Sequence, residues 1–277
     1  MEVSKLERTK FLLVFISMLG LLLMPLVAHA DSDTVKVGLV GTADRPVWNQ
    51  VAKAVKSKYD INVKFTTFTD YNQPNQALVK GSIDLNSFQT WNFFADQNKQ
   101  LGDKLVGLGK TYITPIKLYS KKLTSIKELK HGSTIVVPND PSNEVRALKV
   151  LADAGLIKYD HKITYPTVKN ITDNPKGLSF KEVADDQTVA SLASEDAAIV
   201  NTNYALDAKL SQKEVLYTEP VNKQTAGYIN WIVAKKDEQH NKTYAKIVKM
   251  YQTAATKRQM KQLYGQNEIA AWDITLK

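Results

Sequence analysis

No cysteine occurs anywhere in the 277 residues. An exported chain without it has no disulfides, so its core must supply the stability. The same absence leaves no thiol for lipid attachment and no thiolate for zinc or an iron–sulfur cluster. Histidine is scarce too. Beyond the N-terminal segment only His131, His161 and His240 occur, each in a polar, loop-like context and none paired at metal-ligand spacing. No metal and no cofactor are expected. The usual catalytic signatures are also missing. Gly38-Leu39-Val40-Gly41 follows a strand-like run but lacks a third glycine and any Lys-Ser/Thr pair, and no Gly-x-Ser-x-Gly elbow occurs. Acids are plentiful, yet none stands in a recognisable acid–base pair, which disfavours an enzyme.

Long apolar runs are absent after residue 30. Before it, Lys5, Arg8 and Lys10 form a basic region, Phe11 to Val27 is apolar, and Ala28-His29-Ala30 is a small-x-small cleavage site. Residues 1–30 read as a secretory signal cleaved after Ala30, with an uncleaved anchor as the alternative. About 247 residues remain outside the membrane, enough for one large domain or two lobes. The net charge of +9 falls to +8 when the three basic and two acidic residues of 1–30 are removed. Lys121-Lys122, Lys235-Lys236 and Lys257-Arg258 are short pairs separated by acids, not the aromatic-interleaved patch that nucleic acid requires. The excess charge suits an anionic envelope surface, or simple solubility.

Strand-like and helix-like segments alternate. Val35–Val40, Val63–Phe68, Ile83–Leu85, Ile116–Tyr119, Thr134–Val137, Ala197–Val200 and Tyr228–Ala234 read as strands. Val47–Ser57, Asn75–Val79, Asn143–Ala154, Tyr244–Thr253 and Met260–Tyr264 read as helices, with a short one at Ile126–Leu129. This alternation predicts an α/β fold of mixed, mostly parallel sheets flanked by helices, with ligands beyond the carboxyl ends of strands. Asn170 to Lys176 is the most loop-like interior stretch.

The most informative stretch is Thr134 to Leu148, TIVVPNDPSNEVRAL. An apolar strand runs into a dense turn signal, with Asp140 or Ser142 available as N-cap and Pro141 fit for a first helical position. Arg146 then falls in about the first turn, where free N–H groups, the helix dipole and a guanidinium fork would suit a carboxylate or phosphate. Alternatively, Arg146 pairs with Glu144 or another surface acid. Four more segments put amides and aromatics at strand ends: Phe68 to Asn75, Asn86 to Phe93, Asn201 to Ala205, and Tyr228 to Trp231. Together they could hold a zwitterion with an apolar tail. Taken singly, Trp91, Phe93 and Phe94 are expected in the core.

The blocks FTDYNQPNQAL, GSIDLNSFQ, PIKLYSKK, VPNDPSNEVRAL, AGLIK, NPKGLSF and AAIVNTNYAL, in this order, resemble the signature blocks of the NlpA family of methionine-binding proteins. The resemblance runs from about Val35 to the C-terminus. It implies a two-lobed periplasmic-binding-protein-like fold (type II) that captures methionine, or a related amino acid or short peptide, for an ABC permease and its ATPase subunit. It also implies action as a monomer. The lobes would be residues 31–117 plus 226–277, and residues 118–225. Family roles carried over place Tyr71 and Phe88 around the ligand side chain, Arg146 on its carboxylate, and Asn201 and Asn230 on its polar end. Two positions depart from the family pattern NxFQHxPY: its histidine is Thr90 here and its tyrosine is Phe93. On this reading Arg146→Ala removes binding and leaves the fold intact. A surface adhesin using a basic face, or a secreted enzyme on the same fold, are the competing classes.

Overall fold

The computed structural model describes residues 33–277; the expected signal at 1–30 lies outside them. The chain begins with β1 (Thr34–Val40), α1 (Arg45–Tyr59), β2 (Asn62–Phe68), α2 (Gln73–Val79), β3 (Leu85–Thr90), α3 (Trp91–Gln100) and β4 (Leu105–Ile113). It continues through β5 (Lys117–Tyr119), β6 (Thr134–Pro138), α4 (Pro141–Asp153), β7 (Lys158–Tyr159), β8 (Ile171–Asp173), β9 (Ser179–Val183), α5 (Thr188–Ser191) and β10 (Ala197–Val200). Then come α6 (Thr202–Asp207), β11 (Val215–Thr218), β12 (Ile229–Lys235), α7 (Lys242–Tyr251), α8 (Ala254–Tyr264) and β13 (Ile269–Ala270).

Local chemistry accounts for the principal elements. In α1, Val47, Trp48, Val51 and Val55 fall on one buried face, Pro46 opens the first turn, and Asp60 closes it in the left-handed region at φ 55°. β10 reads Ala-Ala-Ile-Val and is buried along its whole length, as a central strand covered on both faces must be. Both glycines of β4 lie under close neighbours, Gly107 under Trp231 and Gly109 under α7. A Cβ at Gly109 would come within 2.5 Å of Val248 Cγ1 on α7.

Among the described residues, a six-stranded sheet has the order β13-β4-β12-β3-β1-β2 and a five-stranded sheet the order β11-β5-β10-β6-β9. The α/β class and the mixed sheets are as expected, but the parallel bias is weaker. β1 pairs in parallel with β2 and β3, and β6 with β9 and β10; β4, β5, β11, β12 and β13 all join antiparallel. The chain passes between the sheets after β4 and returns after β11, so strands next to these passages enter reversed.

Each sheet has its own core. α1, α7 and α8 cover one face of the first sheet with Trp48, Ile247, Tyr251 and Met260, while Leu78 of α2 and Phe94 of α3 cover the other. In the second sheet Ile135, Val137 and Ile199 pack under Leu148 and Leu151 of α4. A further cluster draws on both sheets and holds Val40, Tyr71, Phe93, Val136, Val200 and Tyr204. It forms the base of the site.

Several boundaries differ from expectation. The strand placed at 83–85 lies at Leu85–Thr90 instead, because the polar residues Asn86 and Gln89 are buried and satisfied by one another. Trp91 is not core: it is 41% exposed and rests on Trp231, whereas Phe93 and Phe94 are buried. The stretch 170–176, expected as loop, includes β8.

Candidate functional site

A narrow cleft lies where the two sheets meet. All seven residues singled out from the sequence line it: Tyr71, Phe88, Thr90, Phe93, Arg146, Asn201 and Asn230. Asp44, Gln89, Tyr112, Thr114, Asn143, Thr202, Asn203 and Glu268 line it as well.

One wall is aromatic. The Tyr71 ring lies 5.7 Å from both Phe88 and Phe93 and 5.1 Å from Tyr204, in tilted and edge-on arrangements suited to an apolar or thioether chain. Tyr71 is fixed from across the cleft, since its hydroxyl donates to Asn203 Oδ1 at 2.5 Å. Thr90 Oγ1 accepts from the Phe93 N–H at 3.2 Å, so this position is the N-cap of α3 as well as part of the wall.

Arg146 is 1% exposed, and its setting differs from both expectations. It lies past the first turn of α4. The N–H groups of Ser142 and Asn143 at the helix start donate to Asp140 Oδ1 at 3.1 and 3.0 Å, so this N-terminus is capped from within. Its acid partner is neither Glu144 nor a surface residue but buried Glu219. Arg146 Nε donates to Glu219 Oε1 at 3.0 Å and Nη2 donates to Oε2 and, at 2.6 Å, to the Thr114 carbonyl. The guanidinium carbon stands 4.2 Å above the Tyr228 ring. Glu219 also accepts from the Ile116 N–H at 3.2 Å. Arg146 thus ties together both passages between the sheets, at 114–116 and 219–228. Nη1 makes no hydrogen bond among the described residues.

The amides are arranged similarly. Asn201 Nδ2 donates to Asn143 Oδ1 at 3.0 Å, while Asn201 Oδ1 and Asn203 Nδ2 are buried with no partner among the described residues. Among the described residues the Asn230 side chain makes one hydrogen bond, from Nδ2 to the Tyr112 carbonyl at 3.5 Å. Buried orphan groups in a cleft are what a polar ligand satisfies. The sheets are also bridged above the base: Thr42 N–H and hydroxyl both donate to Asp207, the latter at 2.7 Å, and Tyr204 donates to the Thr69 carbonyl at 3.2 Å. Gly41, at φ +70°, is required here because a Cβ would collide with Asp207.

Four buried carboxyls titrate high, and two of them, Asp44 and Glu268, line the cleft. Burial pushes Asp44 up to about 6 and Glu144 up to about 7. Burial and then a neighbouring acid raise Glu268, beside Asp44, and Asp185, beside Asp140. A carboxyl pKa raised on folding gives stability present below the unfolded value and lost as pH rises through the folded one. The melting temperature is therefore expected to climb as pH is lowered from about 8 to about 5. A scanning calorimetry series checks this; a fall over that range would show that these groups are held ionised.

Of the lining residues not foreseen, Thr202 and Asn203 stood within the segment 201–205 already marked. Asp44 follows the carboxyl end of β1, where the strand-end rule could have found it. Glu268 had no signal, because only tertiary packing carries the segment before β13 to the cleft.

The fold and this cleft define a two-sheet ligand-binding protein of the substrate-capturing type. The chain belongs to the NlpA lipoprotein family, whose profile matches residues 35–272. A relative from Pasteurella multocida, named a probable D-methionine-binding lipoprotein MetQ, is 39% identical over 78% of this chain and 78% of its own length. The D-methionine-binding lipoprotein MetQ of Salmonella typhi is 37% identical over 87% of this chain and 90% of its own. Among solved structures, a Burkholderia cenocepacia nutrient-binding protein described as bound to methionine superposes with a TM-score of 0.81 at 40% identity, covering 86% of this chain and 99% of that one. The substrate-binding protein of a Streptococcus pneumoniae methionine transporter gives 0.80 at 39%, covering 86% and 96%. The curated relatives named above are lipoproteins, whereas this chain has no cysteine. No helix of the described residues is long and apolar enough to cross a membrane.

Proposed function

We propose that this chain is the extracytoplasmic binding protein of an ABC importer, capturing methionine or a related amino acid or short peptide and delivering it to a permease and its ATPase subunit. One observation carries the reading: a single cleft brings together the Arg146 guanidinium with Nη1 unused, unpartnered buried amide atoms, and an aromatic wall. Arg146 takes the ligand carboxylate, Asn201 and Asn230 its polar end, and Tyr71, Phe88 and Phe93 its side chain. The lobes are 31–117 plus 226–277 and 118–225, and binding holds them closed by hinge motion at the two passages. The protein binds and releases its ligand without turnover, as a monomer outside the membrane. The adhesin and enzyme readings have no comparable support.

A thermal-shift screen of both methionine enantiomers, the other amino acids and methionine-containing dipeptides tests this. A true ligand at a hundred times its Kd adds about 2.7 kcal/mol of stability. No shift with any of them sinks the proposal. The screen extends to Thr90→His with Phe93→Tyr, which restores the family's polar groups. L-Methionine affinity is expected to rise roughly tenfold from the added hydrogen bonds, while loss of the Thr90 cap removes about 1 kcal/mol of stability. A wild type that binds L-methionine tightly and a double variant that binds it worse would show the departures to be compensated elsewhere.

A further inference from the structure

Arg146 and the asparagines provide for an anion and for neutral polar atoms, which leaves two carboxyls in the cleft unaccounted for. Asp44 lies just before α1 and Glu268 just before β13; both line the cleft, at 6% and 2% exposure. Tyr112 donates to Asp44 Oδ2 at 2.5 Å. Burial pushes Asp44 up to about 6, and burial and then the neighbouring Asp44 hold Glu268 well above the usual carboxylate range. Glu268 Oε1 is buried with no hydrogen-bond partner among the described residues. No ion pair reaches either carboxyl among the described residues. The titratable groups facing them are Tyr112 of β4, Tyr251 of α7, Tyr264 of α8 and Asp207 at the end of α6. These are phenols and a further acid, with no cation among them. Two acids buried in such company are costly unless a positive group joins them.

Resting on the amino-acid reading of the cleft, we infer that Asp44 and Glu268 form a cation subsite that takes the ligand's ammonium group while Arg146 takes its carboxylate. The two carboxyls belong to segments packed on the first sheet and Arg146 to a helix on the second. A ligand with both charges therefore bridges the two sheets, and a ligand lacking either charge does not. The ammonium is either the α-amino group of a free amino acid or the N-terminal amine of a dipeptide. Its entry favours the ionised carboxyls, and a proton they hold leaves to buffer.

Calorimetry of the mature protein, Glu268→Gln and Asp44→Asn tests this with four probes: L-methionine, its desamino analogue 4-(methylthio)butanoate, glycyl-L-methionine and N-acetylglycyl-L-methionine. The wild type is expected to prefer an ammonium-bearing probe over its uncharged counterpart by about tenfold or more, and each substitution to remove most of that preference. Affinity for the uncharged probe should stay within about twofold. Which pair shows the effect tells whether the amine is that of a free amino acid or a peptide. In two buffers of different ionisation heat near pH 6, wild type should release up to about one proton per ligand and Glu268→Gln close to none. Circular dichroism controls for folding, and Asp44→Asn carries the comparison if Glu268→Gln does not fold. A preference that survives in the folded variants overturns the subsite alone. A wild type that binds none of the four probes overturns the amino-acid reading with it.

Discussion

Arg146→Ala is expected to abolish ligand binding and to destabilise the protein as well, which departs from the intact fold expected on sequence grounds. In the structure Arg146 neutralises Glu219 at a site where both side chains are 1% exposed. Removing one member of a buried pair strands the other charge, with a typical loss of about 3–5 kcal/mol. Loss of the ligand-carboxylate partner adds its own penalty to binding, on the order of 2–5 kcal/mol. Arg146→Lys should recover little of either, because an ammonium cannot reach Glu219, the Thr114 carbonyl and a ligand at once. The two effects separate in Arg146→Met with Glu219→Gln. There no charge is stranded, and Gln can still accept from the Ile116 N–H, so most of the stability should return while binding stays absent. Urea denaturation and calorimetry on the three variants measure both quantities. An unchanged unfolding midpoint in Arg146→Ala, or binding by the double variant, would falsify the dual role.

Local pattern alone made much of this molecule legible, and the failures have a common physical origin. β1, β6, β10 and α1 were recognisable because each is an apolar run or stripe of the right period, and α4 because Asp140-Pro141 announces its start. β9 and β11 were not foreseen. They are edge strands with half-exposed faces, whose pairing is set by β6 and β5 rather than by their own composition. β4 was not foreseen: Gly107 and Gly109 leave it without a continuous apolar run, and they admit Trp231 and α7. α3 was hidden by asparagines and aromatics of modest helix propensity, and it forms because Thr90 caps it and Phe93 and Phe94 are buried. In the cleft, residues adjoining strands were found. The Arg146–Glu219 pair spans 73 positions, and Glu268 arrives from near the C-terminus, so neither contact leaves a local trace.

The strand at 83–85 was ended too early because Asn86 and Gln89 are polar, and Asn75→Ala should expose the buried amide cluster that lets that strand run on to Thr90. Asn75 of α2 is 1% exposed and sits at the centre of three amides. Its Oδ1 accepts from Asn86 Nδ2 at 2.9 Å and from Gln89 Nε2 at 2.7 Å, while its Nδ2 donates to Gln89 Oε1 at 2.8 Å. Gln89 Nε2 also reaches Asn86 Oδ1 at 2.8 Å, closing the network. Such a cluster adds little net stability when complete, but it is expensive when one member is missing. Asn75→Ala orphans Asn86 Nδ2 and Gln89 Oε1 in a buried site; at about 1–3 kcal/mol for each orphan, the variant should lose roughly 2–6 kcal/mol. Affinity should fall too. The cluster ties α2 to β3, and β3 presents Phe88 and Thr90 to the cleft while α2 follows directly on Tyr71. Asn75→Asp is the informative companion. A carboxylate in place of the amide keeps both acceptor contacts but cannot donate to Gln89 Oε1 and buries a charge, so it should be at least as damaging at neutral pH and recover as pH falls. Denaturant midpoints for both variants at pH 7 and pH 5 decide the matter. A loss below about 1 kcal/mol in Asn75→Ala would mean that water replaces the missing amide and that packing of α2 alone holds β3 in place.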